Sequence, residues 1–158
     1  MAAGMNEIER AAVHESAHAT MAFRFGRRIR HVQVADDGTG ATHCQMLRRV
    51  ARWWLPASAW RKRVAEEAVI SLSGPLAERK FCGCLSRQAS TVDFKNASQW
   101  LKKLGRNREQ TAIEITYKLL DSPRTWRAVE TIAAALIEHG HLTGAQVEAV
   151  CRTCGVSG

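Results

Sequence analysis

The sequence predicts a mainly helical α+β fold with one small β-hairpin beside its first helix. Three observations carry that expectation. Apolar residues recur at helical spacing over most of the chain, and a single stretch alternates apolar and polar residues. Glycine or proline punctuates the segments between them. With 158 residues, 46% of them hydrophobic, the chain is long enough to bury one core, and residues 1–158 read as one domain.

The first helix is expected over Asn6–Phe25. Asn6 suits an N-cap, with Glu9 three residues later as in a capping box. Ile8, Ala11, Ala12, Ala19, Ala22 and Phe23 form an apolar stripe. Gly26 is a natural stop, and Arg24, Arg27 and Arg28 suit the negative end of the dipole. The period then changes: Ile29–Val34 alternates as a strand does, Asp36–Gly40 is turn chemistry, and Ala41–Met46 returns as the second strand. After a linker with Trp53, Trp54 and Pro56, Ser58 caps a helix from Ala59 to Phe81. Gly74-Pro75 should kink or split that helix, and Gly83 closes it. Ser90 or Thr91 caps the next helix, which reaches Leu104. Helices over Arg108–Leu120 and Ser122–His139 follow, with a last one inside Leu142–Cys154 capped by Thr143. Tyr117 falls in a core helix, which argues for packing.

Several classes are disfavoured at once. The longest apolar run, Thr131–Ile137, is far short of the roughly 20 residues of a membrane span. Glu7, Glu9 and Arg10 stand where a signal peptide needs apolar residues, so a cytoplasmic protein is expected. Five cysteines cannot all pair within one chain and read as free thiols in a reducing compartment. Cys82-x-Cys84 with Cys151-x-x-Cys154 offers four thiolates for a structural metal, but CxC is an uncommon partner for CxxC, and plain thiols are favoured. The net charge of +8 concentrates between Arg24 and Arg63, where only Asp36 and Asp37 oppose it. Such a surplus suits an acidic partner or a solvated surface. Trp53, Trp54 and Trp60 interleave with Arg48, Arg49, Arg52 and Arg61; packing or a subunit interface explains them more readily than nucleic acid.

The chemistry lies in His14-Glu15-Ser16-Ala17-His18, an HExxH pattern inside the first helix. Four residues make about one turn, so both imidazoles leave the same face and can share one metal ion. Glu15 stands beside them, placed to take a proton from water as a general base. A catalytic zinc needs a third protein ligand. His31, His43, His139, His141 and many carboxylates stay open on chemistry alone.

Four stretches together resemble the peptidase domain of FtsH-type ATP-dependent zinc proteases. His14-Glu15-Ser16-Ala17-His18-Ala19 is similar to that family's HEAGHA helix, and Ser73–Arg79 with Phe81-Cys82-Gly83 to its GGRxAEE segment. Ala89–Phe94 is similar to its ASNDL segment, and Leu136–Val147 to its C-terminal LxxxxxLxGxE pattern. The resemblance covers nearly the whole chain in order. It implies a helical zincin domain with one Zn2+ per chain, held by His14, His18 and Asp93. Glu15 is then the base and Glu78 a carboxylate orienting a ligand histidine. Asp93, expected in the first turn of its helix, would be stabilised there as an anion. Pro75, Val92 and Arg79 depart from the family pattern at neighbouring positions, without removing a ligand or the base.

The resemblance further implies hydrolysis of flexible or unfolded polypeptides, with the substrate backbone paired to an edge strand, here Ala41, Thr42 and His43. It implies a ring-forming homo-oligomer. No GxxxxGK[ST] loop occurs in the chain, so a separate ATPase would have to supply unfolding. The alternative expectation is a non-catalytic module on the same scaffold, binding a protein partner or nucleic acid through its basic Trp/Arg surface.

Overall fold

Helix α1 spans Glu7–Arg24 and lies at the centre of the molecule, packed by α2, α5 and the sheet defined below. The computed structural model describes residues 7–46, 53–85 and 87–158; the expected cap Asn6 lies outside them. The sequence suggested a one-sided apolar stripe, but Ala12–Ala17 and Ala19–Ala22 are all buried, so α1 is enclosed on nearly every side. Small residues make this enclosure feasible. The hydroxyls buried with them stay satisfied within the helix: Ser16 Oγ donates to the Ala12 carbonyl at 2.5 Å and Thr20 Oγ1 to the Ser16 carbonyl at 2.7 Å.

Gly26 ends α1 at φ 67°, a left-handed conformation that favours glycine. Arg27 then turns inward rather than complementing the dipole from solvent. Its Nε donates to Glu67 at 2.8 Å and its Nη2 to Glu66 at 2.9 Å, with Arg27 and Glu67 both buried. The strands follow as the alternation predicts: β1 is Ile29–Val34 and β2 is Gly40–Cys44, paired antiparallel with His31 opposite His43 and Val32 opposite Thr42. A third strand, β3 (His141–Thr143), pairs with the other side of β1, Val32 opposite Leu142. Three residues are too few to show a period, so the sequence offers Thr143 only as the cap of the last helix and no strand before it. The order β2-β1-β3 leaves β2 on an edge beside α1.

Helix α2 runs from Ala57 to Cys82 without a split at Gly74-Pro75. Its packing against α1, α3 and α4 outweighs the backbone donor lost at the proline. Pro56 is its N-cap, so Ser58 lies within the first turn. Gly83 closes it at φ 73°, donating to the Arg79 carbonyl. Helix α3 is Arg87–Leu101, which starts before Ser90 and Thr91 and ends before Leu104. Then come α4 (Glu109–Leu120), α5 (Pro123–His139, with Ser122 as N-cap) and α6 (Gly144–Thr153). Thr143 caps α6 in a full capping box with Gln146.

The core gathers Met21, Val32, Leu76, Leu120, Ile132 and Leu136 from five of these elements, and Tyr117 packs against it. Trp53 and Trp54 do not pack: they are 85% and 68% exposed. Arg48, Arg49 and Arg52 lie outside the described residues. No described helix is long and apolar enough to cross a membrane.

The buried pair between Arg27 and Glu67 ties the end of α1 to α2, and removing one partner leaves a buried, uncompensated charge. Arg27→Met is therefore expected to lower unfolding free energy by about 3–5 kcal/mol in urea titration. A loss under about 1 kcal/mol would show the pair to be incidental.

Candidate metal centre

His14 and His18 stand one turn apart on α1 and face α2 where Gly74 passes. A Cβ on residue 74 would lie 2.4 Å from His18 Nε2 and 2.7 Å from His14 Nε2, so only glycine leaves room between the imidazoles and the helix. Each ring is fixed through its other nitrogen. His18 Nδ1 donates to the Ile70 carbonyl at 2.7 Å, and His14 Nδ1 faces Glu78 Oε2 at 3.3 Å. Glu78 is itself buried and held by Arg10, whose Nε and Nη2 donate to Oε1 at 3.0 and 2.5 Å. With both Nδ1 atoms engaged, both Nε2 atoms are turned to one point, 3.1 Å apart.

Helix α3 brings Asp93 to the same point. Its Oδ2 lies 2.9 Å from His14 Nε2 and 3.4 Å from His18 Nε2. Donors about 2.0–2.1 Å from a tetrahedral ion stand about 3.3 Å from one another. The three separations here bracket that value, so the group can hold a metal ion. Asp93 does not sit in the first turn of α3, which begins at Arg87. Its anionic state comes from the imidazoles rather than from the helix dipole.

Burial alone would raise the Asp93 pKa, but hydrogen bonds from His14 and His18 pull it down to about 2. Burial would likewise lower His14, and here the bonds to Asp93 and Glu78 prevail and raise it to about 9. A proton and a metal ion compete for the same nitrogen, so metal binding at this site is coupled to proton release from His14.

Glu15 points toward β2. Thr42 Oγ1 donates to its Oε2 at 2.7 Å and also lies 3.0 Å from its backbone carbonyl. Gly40 lets the strand approach, since a Cβ there would lie 2.6 Å from Glu15 Cγ. A cleft of about 340 Å³ runs between the edge of β2 and the centre, lined by Gly40, Ala41, Thr42, Glu15, Asp93 and Asn96 among others. Ala41 and Thr42 thus border the site. His43 stacks instead on His31, with His141 on the far side, at ring separations of 4.3 and 5.4 Å. None of these three histidines is the third donor, and His139 ends α5. Cys82, Cys84, Cys151 and Cys154 form no four-thiol group among the described residues.

Four features of the site were not read from the sequence: Gly74 as the seat, the Ile70 carbonyl, Arg10 behind Glu78, and Thr42 on Glu15. Two had a signal. Glycine inside a buried helix costs about 1 kcal/mol against alanine and so asks for a packing reason. Arg10 stands one turn before His14 on the same helical face. A backbone carbonyl and a cross-element hydroxyl leave no such mark.

No protein-family model matches the chain, and no curated protein matches it. Fold and site therefore define the class: a mainly helical α+β protein whose HExxH helix joins an aspartate in a group able to hold a metal ion.

Two outcomes are expected from this geometry. Gly74→Ala should abolish binding in a zinc titration while circular dichroism stays helical; unchanged affinity would mean that the ion sits elsewhere. The linkage also fixes a sign. The raised His14 pKa stabilises the metal-free protein fully below the ordinary histidine value of 6.5, a contribution lost as pH rises through about 9. The depressed Asp93 pKa contributes stability above the ordinary aspartate value of 3.8, and this is lost as pH falls through about 2. Thermal midpoints in chelator should fall between those two His14 values, while zinc affinity tightens ~10-fold per pH unit. Calorimetry in buffers of different ionisation heat counts the proton released.

Proposed function

We propose that this protein is a zinc-dependent endopeptidase acting on flexible or unfolded polypeptides. The observation that supports it most is the convergence of His14, His18 and Asp93 at one point, with Glu15 between that point and an open strand edge. Two imidazole nitrogens and one carboxylate oxygen at tetrahedral spacing suit zinc, and three protein donors leave a position for a reactant. The similarity of the four sequence segments to FtsH-type peptidases points the same way.

His14, His18 and Asp93 would hold the zinc, which would supply Lewis acidity to a carbonyl and to water. The chain's own groups do the rest. Glu15 takes the proton from the attacking water and passes it to the departing nitrogen. The Thr42 hydroxyl holds the Glu15 carboxylate in the orientation that this transfer needs. Glu78, steadied by Arg10, keeps the His14 ring turned so that Nε2 faces the centre. The free edge of β2 at Ala41, Thr42 and His43 offers backbone groups to an extended peptide, which gives affinity with little side-chain selectivity. Selectivity for disordered chains follows, because a folded substrate does not present an unpaired strand to this cleft.

A homo-oligomeric ring, a separate ATPase as unfoldase, and a cytoplasmic setting complete the proposal on the strength of the resemblance. Nucleic acid has no role in it.

Cleavage of a fluorescently labelled, unfolded polypeptide tests the reading. Glu15→Gln should lose turnover by about 100-fold or more while keeping its zinc. Equal turnover in that variant would refute the assignment. Thr42→Val keeps the shape and removes the hydroxyl; turnover should fall roughly 10-fold at unchanged zinc affinity, as expected for a positioning contact.

A further inference from the structure

Cys82 is the last residue of α2, and Cys84 follows two residues on, across the left-handed turn at Gly83. That turn folds the chain back over the helix end and brings the two sulfurs to 3.0 Å. A disulfide bond measures about 2.05 Å, so closing one asks for ~1 Å of movement. The turn can supply it, because Cys84 is exposed and its side chain is free to rotate toward its neighbour. Beyond its two chain neighbours, nothing lies within 4 Å of where a Cβ on Gly83 would stand, so the turn is not packed against the rest of the protein on that side.

The other cysteines differ. Cys151 is buried, and burial pushes its thiol up to about 12. Cys44 and Cys154 are partly covered, and neither has another sulfur as a described hydrogen-bond partner. Cys82 and Cys84 alone combine access, mutual contact and a flexible glycine between them.

We propose that Cys82 and Cys84 are a modification site, a dithiol that a low-molecular-weight disulfide converts reversibly into an intrachain disulfide. The more exposed Cys84 attacks as its thiolate, forming a bond to one sulfur of the small disulfide and expelling the other as a thiolate. Cys82 then attacks the Cys84 sulfur and expels the second small thiolate. The two protons leaving the protein thiols end on the two small thiols, so one disulfide is reduced as one is formed. An exposed disulfide in so short a loop is readily reduced again, which makes the exchange reversible.

The location gives the modification reach. Cys82 Sγ donates to the Glu78 carbonyl at 3.1 Å, and the Glu78 carboxylate accepts from Arg10 and faces His14. Beyond Cys84 the chain enters α3, which carries Asp93. A bond here closes the connection between two helices that both contribute to the metal centre. The inference does not depend on the proposed peptidase activity.

The full chain would be equilibrated in buffers of varied oxidised-to-reduced glutathione ratio, quenched with iodoacetamide in denaturant so that every free thiol is reached, and digested with trypsin. Peptide 81–87, which holds both cysteines, should become lighter by two hydrogens and lose both alkylation sites as the buffer grows more oxidising. Dithiothreitol should reverse the change, and Cys44, Cys151 and Cys154 should remain alkylated. Cys82→Ser should halt at a glutathione adduct on Cys84. Free alkylation of both residues in the most oxidising buffer would overturn the proposal. So would a lasting glutathione adduct on the wild-type peptide, or a bond to another cysteine or a second chain.

Discussion

The candidate centre depends on how closely α2 can lie against α1. Alanine at positions 12, 17, 19 and 22 thins α1 on several sides, and Gly74 removes the one side chain that would enter the space between the two imidazoles. The arrangement is costly locally. Glycine inside a helix is worth about 1 kcal/mol less than alanine, and the adjacent Pro75 forfeits a backbone hydrogen bond. Both residues sit within a helix buried on α1, α3 and α4, and that packing carries the cost. The same close approach sets the Ile70 carbonyl against His18 and the Glu78 carboxylate against His14, so one contact between helices fixes both rings.

Buried charge is handled by pairing throughout this region. Glu78 is matched by Arg10 and Glu67 by Arg27, and each pair joins a residue on or just after α1 to α2. Glu15 is different. Its carboxylate accepts a hydrogen bond from the Thr42 hydroxyl and carries no described salt bridge. A protein with a net charge of +8 thus pairs two of its arginines with the carboxylates buried between α1 and α2.

Much of this was legible in the sequence, for reasons that can be traced to particular residues. The HExxH spacing fixes two imidazoles on one helical face whatever the rest of the fold does, and the alternation in Ile29–Val34 fixes a strand. Thr143 and Gln146 announce the start of α6 by a local exchange of hydrogen bonds. What could not be read were relations between elements. The register that sets Thr42 on Glu15 depends on how β2 docks against α1, and β3 exists only because β1 offers it an edge. Asp93 could be named only through a resemblance, because nothing local separates a ligand aspartate from any other early in a helix. Helix boundaries at Ala57 and Arg87 were misread where Ser58, Ser90 and Thr91 resembled caps but lie inside the helices.

The most direct test of the central claim is anomalous diffraction at the zinc absorption edge from crystals of the zinc-loaded protein. The account predicts one strong peak per chain within bonding distance of His14 Nε2, His18 Nε2 and an Asp93 carboxylate oxygen, beside the hydrogen of Gly74. A dominant peak at the His31–His43–His141 stack or at Cys82 and Cys84, with none between His14 and His18, would contradict it.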